Sequence, residues 1–156
     1  MSERMEYLTE PIAKLFQQLA DGPAAGRASV KVSNFVDHDS VELLPSNPRA
    51  ARIVAIIPKK ERYPLTLAAG KGTIFEIPEM GGRYTETNSV LDEARILSQA
   101  VIGGRFSEKV KSNIKDEVVS SMGTVDLPPP ITVRWGKLTI NPFQRTSVED
   151  LHYEPY

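Results

Sequence analysis

From Ala28 to Ile77 the chain is a series of β-rich runs joined by connections too short to hold a helix. Parallel neighbours need a crossover of a dozen or more residues, whereas antiparallel neighbours need only a turn. Consecutive strands here are therefore expected to be antiparallel. With no regular alternation of strand and helix, a parallel Rossmann-type sheet is not expected.

The runs can be placed one by one. Val30, Val32 and Val36 alternate with Lys31 and Ser33, the pattern of a half-buried strand. Asp37 to Ser40 is turn material before a short strand from Val41 to Leu44. "PSNPRAA" is a loop, because its prolines cannot donate to a ladder. "RIVAIIP" is a continuous apolar run and predicts a strand buried on both faces. "LTLAA" and "TIFEIPE" flank a glycine-bearing turn, so Leu65 to Ile77 reads as a hairpin with its turn at Ala69 to Gly72.

Two segments have helical period. Ile12, Leu15, Phe16 and Leu19 form one stripe, predicting a helix from Glu10 to Ala20 with Thr9 as its cap, Pro11 in its first turn and Gly22 at its end. In "TNSVLDEARILSQAVIGG" the stripe is Val90, Ala94, Leu97 and Val101, with Asn88 or Ser89 as cap and Gly103-Gly104 as terminator. Three or four strands follow. Pro128 to Pro130 reads as a stiff strand connection and Gly136-Lys137 as a turn. The aromatic tail after Ser147 is placed to pack back. The expectation is one α+β domain over residues 1–156: a mainly antiparallel, twisted sheet of about seven to nine short strands with two helices packed on one face.

Composition narrows the function. The chain has no cysteine, so disulfides, thiolate zinc and a cysteine nucleophile are out. Lysine plus arginine, 19, balances aspartate plus glutamate, 20, which argues against a nucleic-acid or anionic-membrane partner. Ile53 to Ile57, the longest apolar run, cannot span a bilayer. A cytoplasmic protein is expected, as monomer or homodimer.

Gly70-Lys71-Gly72-Thr73 has the residue types of a phosphate loop but not its spacing. Leu65 stands where the first glycine belongs, Lys71 precedes Gly72, and a strand follows instead of a helix. It reads as a hairpin turn. Asp37-His38-Asp39 could ligate a metal only if three adjacent side chains converged, and the only other histidine is His152; a solvated turn is the simpler reading. Glu76 interrupts an apolar strand and would need a partner if buried. With Ile74 it is instead expected on the solvent face, while Phe75 and Ile77 face the core. Ser120-Ser121 reads as strand surface. No metal or other cofactor is expected.

Arginines and aromatics remain: Arg83 and Tyr84 before the second helix, Arg134 and Trp135 near the end of a strand. Such residues dominate the energetics of protein interfaces. The leading expectation is a non-catalytic domain that binds another protein through Arg83, Tyr84, Arg134 and Trp135. By analogy of size and architecture, it could serve as an immunity-type protein neutralising a bacterial toxin. Two alternatives are a small-molecule binder with a cavity between sheet and helices, and an enzyme using Glu76, Arg83 and Tyr84.

Overall fold

Helix α1 runs from Ser2 to Asp21, further toward the amino terminus than its stripe alone requires. The computed structural model describes residues 2–59, 65–77, 87–136 and 145–156. Leu8 and Ile12 are both buried one turn apart, so core packing extends the helix past Pro11, whose missing N–H leaves one backbone bond unmade. Thr9 is thus inside the helix and not its cap; its hydroxyl donates to the Asp39 carboxylate at 2.8 Å. After Asp21 the chain turns through Ala25 and Gly26, both at positive φ.

Five strands follow: β1 (Ala28–Asn34), β2 (His38–Pro45), β3 (Ile53–Pro58), β4 (Leu65–Ala69) and β5 (Thr73–Ile77). They form an antiparallel meander in that order. Leu65 pairs with Ile77 and Ala69 with Thr73, so the hairpin lies where its two β-rich runs predict. Val36 is not part of the first strand; it lies in the turn, 97% exposed. Helix α2 (Thr87–Ile102) comes next and ends at Gly103 and Gly104, the latter at φ 76°. Four more strands make a second antiparallel sheet: β6 (Phe106–Asn113), β7 (Val118–Val125), β8 (Ile131–Gly136) and β9 (Thr146–His152), in the order β8-β7-β6-β9. Among the described residues nine strands therefore divide between two sheets, in an α+β fold whose strand pairs are all antiparallel. The Gly136-Lys137 turn lies outside the described residues.

One face of the first sheet carries the core. Val41 and Leu43, then Ile53, Ala55 and Ile57, then Leu65 and Leu67, then Phe75 and Ile77 line up across the ladder and are all buried. α1 lays Ile12, Leu15, Phe16 and Leu19 on this face, and α2 adds Val90, Ala94, Leu97 and Val101. Because the helices cover one face only, β3 is not buried on both: Val54 and Ile56 are half-covered. Ile74 and Glu76 are exposed while Phe75 and Ile77 are buried, as period two requires.

The second sheet meets the first at the β4–β5 turn. Glu108 and Gly123 are cross-strand partners, as are Val110 and Ser121, so all four share a face. A Cβ on Gly123 would fall inside contact distance of the Thr73 side chain, so only glycine admits the turn here. β9 pairs along β6, and the chain then returns to the first sheet, where the buried Tyr156 donates its hydroxyl to the Ala51 carbonyl at 2.6 Å. No described helix is long and apolar enough to cross a membrane.

Candidate functional site

Glu108 is the one buried charged side chain among the described residues, at 3% exposure. Its carboxylate sits in the β4–β5 turn. Oε1 accepts from the Lys71 amide at 2.8 Å and from the Tyr153 hydroxyl at 2.5 Å. Oε2 accepts from the Gly72 amide at 3.0 Å and from the Thr73 hydroxyl at 2.6 Å. Ser121, buried and not on the strand surface, donates to the Gly72 carbonyl at 2.6 Å. Gly70, at φ 67°, brings the backbone so close that a Cβ would overlap the Glu108 carboxylate. The turn that resembles a phosphate loop thus does cradle an anion, and the anion is the chain's own. Four donors occupy the carboxylate, which leaves it no free lone pair aimed at solvent for acid–base chemistry. Desolvation, and then the bond to Glu108, push the Tyr153 hydroxyl well above its ordinary value; burial does the same to Tyr156.

At the Asp37-His38-Asp39 segment the three side chains do not converge on one point: the first two pair with each other and the third turns away. His38 Nδ1 lies 2.6 Å from Asp37 Oδ1, which holds the Asp37 carboxyl below the usual carboxylate range. Asp39 turns inward to Thr9 and lies 3.6 Å from Lys59 Nζ. Among the described residues no three His, Asp or Glu side chains gather into a metal-ligand set.

Two clefts remain. One, of about 490 Å³, is lined by Arg49, Arg52, Lys71 and the start of the tail. Each cation there already faces a carboxylate: Glu154 at 3.4 Å, Glu42 at 3.8 Å and Glu149 at 3.2 Å. The other, of about 430 Å³, opens between β5, α2 and β8. Ile74, Phe75, Leu97, Ile131 and Val133 make its apolar lining, and Glu76, Glu93 and Arg134 bring charge to it. Of the apolar lining, Ile74 is itself 40% exposed.

Of the four residues expected to bind a partner, Arg134 stands on this second cleft, on β8. Trp135 follows it in the strand, its backbone in register with Ser121 of β7. Arg83 and Tyr84 lie outside the described residues. Glu76 lines the same cleft from β5, so Glu76 and Arg134, 58 positions apart by their numbers, share one concavity. Sequence reasoning passed over Glu108, although a signal was present: period two puts it on one face with Phe106 and Val110, both buried. No family model matches this chain, and no curated protein or solved structure is detectably similar to it.

Proposed function

We propose that this chain is a non-catalytic binding domain that takes another protein at the cleft between β5, α2 and β8. The observation that supports this reading is the composition of that cleft: an apolar floor, charge from Glu76, Glu93 and Arg134, and the exposed Ile74. An apolar centre inside a polar rim is the anatomy of protein interfaces, and an arginine at such a place is a favoured anchor. The buried carboxylate of Glu108, the natural candidate for a catalytic base, is occupied by the fold. Capping a toxin in the manner of an immunity protein is one form of this reading.

A small-molecule ligand is the second reading, favoured by the cleft volume of about 430 Å³, which is of ligand size. One experiment separates the two. The tagged chain and its Arg134→Glu and Ile74→Asp variants are used as baits in lysate of the native cell, and small molecules released from the denatured baits are identified by mass spectrometry. A protein retained by the unaltered chain and lost from both folded variants supports protein binding. A small molecule that disappears with the same substitutions supports the second reading. If neither changes, the cleft is not the binding site.

A further inference from the structure

β1 is the outer strand of the first sheet and has few of the usual guards of an exposed edge. It has seven residues, no proline, and an unbroken register with β2 from Ala28↔Pro45 to Asn34↔Asp39. Its one charge is Lys31, whereas the outer strand β9 of the second sheet carries Glu149 and Asp150 side by side. Two hydrogen bonds fix the phase of the ladder. The Ser46 amide donates to the Arg27 carbonyl at 2.8 Å, and the Phe35 amide to the His38 carbonyl at 2.9 Å. Odd-numbered residues of β1 therefore bond to β2. The even-numbered ones, Ala28, Val30, Val32 and Asn34, turn their backbone N–H and C=O outward. Val32 is 52% exposed, and beyond the strand end so are Phe35, 48%, and Val36, 97%. This tip is held in place: Phe35 stacks on His38 at 4.7 Å, and Lys59 donates to the Phe35 carbonyl and the Asn34 side chain.

We infer that the β1 edge pairs with the β1 edge of a second copy of this chain, antiparallel about a two-fold axis through Lys31. The strand is self-complementary in that register. Ala28 meets Asn34 and Val30 meets Val32, so all four outward residues find outward partners. Val30 and Val32 stand opposite Leu43 and Val41 of β2, both fully buried, so the apolar row of the core continues into the second copy. Past the strand, the same register carries Phe35 toward the exposed Arg27 of the second copy, an aromatic–guanidinium pair. It carries Val36 toward Gly26, a glycine with no heavy atom within 4 Å of where a Cβ would stand. The two Lys31 side chains meet on the opposite face, each with Glu42 as its ladder partner. Like charges across a ladder repel, and salt screens them, so this dimer strengthens as ionic strength rises.

Sedimentation of the full chain from micromolar to millimolar concentration, at low and high salt, is expected to show a monomer–dimer equilibrium that salt shifts toward dimer. Val32→Pro removes an outward N–H and no bond to β2. It should raise the dimer dissociation constant by more than about tenfold while the circular dichroism stays native. Because the chain has no cysteine, a single introduced thiol reports the register. Lys31→Cys should cross-link through the two-fold on oxidation, and Ser29→Cys, which faces Ser33 of the second copy, should not. The cysteine pair gives this answer even if Val32→Pro fails to fold. A chain monomeric at every concentration overturns the inference. So does a dimer indifferent to a folded Val32→Pro variant, or equal cross-linking by the two cysteine variants.

Discussion

Glu108 shows how one residue can determine the chemistry of a turn. Removing its carboxylate leaves the Lys71 and Gly72 amides and the Thr73 and Tyr153 hydroxyls without their acceptor. Glu108→Ala is expected to cost about 3–5 kcal/mol in urea unfolding, because each orphaned buried donor carries its own desolvation penalty. A loss under about 1 kcal/mol would mean that water replaces the carboxylate at little cost. Formate should fill the vacated cradle, raising the Tm of Glu108→Ala and leaving the unaltered chain unmoved. Tyr153 and Tyr156 bear on stability at high pH. Their hydroxyls are held above the ordinary value of 10.0, so above that pH the unfolded chain releases protons that the folded chain keeps. The stability they contribute is complete below pH 10.0 and is lost as pH climbs toward their folded values. Unfolding curves measured across this range should fall for the unaltered chain and fall less steeply for Tyr153→Phe and Tyr156→Phe.

At the scale of elements, two contacts decide the packing. Phe16 is fully buried where α1 crosses the first sheet, and Phe16→Ala is expected to cost about 3–5 kcal/mol. Gly123 is where β7 passes under Thr73, and Gly123→Ala should cost about 1–3 kcal/mol, since the sheets must part to admit a methyl group. Denaturant unfolding checks both, and an effect under about 1 kcal/mol for Gly123→Ala would mean that the seam yields easily. The sequence made the elements legible because their signals are local. The stripes of both helices and the alternation of Phe75 and Ile77 with Ile74 and Glu76 need only neighbouring residues. The division into two sheets was not legible, because it depends on Gly123 meeting Thr73 and on β9 returning to β6, contacts that no window of a few residues contains. Ser121 was misjudged for the same reason: the carbonyl that buries it belongs to Gly72, 49 positions away. Of the candidate site, Arg134 was legible as a residue type suited to interfaces, while the apolar floor beside it is assembled from β5, α2 and the distant β8.

Among the described residues the two sheets meet at the polar seam around Glu108, along β5 against β7 and β8, and through the returning tail. If that seam couples them, circular dichroism of the whole chain and fluorescence of Trp135, on β8, should report the same unfolding midpoint. Two separate midpoints would mean that the sheets unfold independently. The bond from Tyr156 to the Ala51 carbonyl has a further consequence, in time. It joins positions 105 residues apart, and Arg49 with Glu154 spans the same interval. Closing so long a loop costs entropy before any contact repays it, so such bonds form late. A bond absent from the transition state does nothing to hasten folding; it slows escape from the native state. In stopped-flow mixing, Tyr156→Phe should therefore leave the refolding rate nearly unchanged and speed unfolding. The tail then acts as a latch, setting how long the native state lasts once formed.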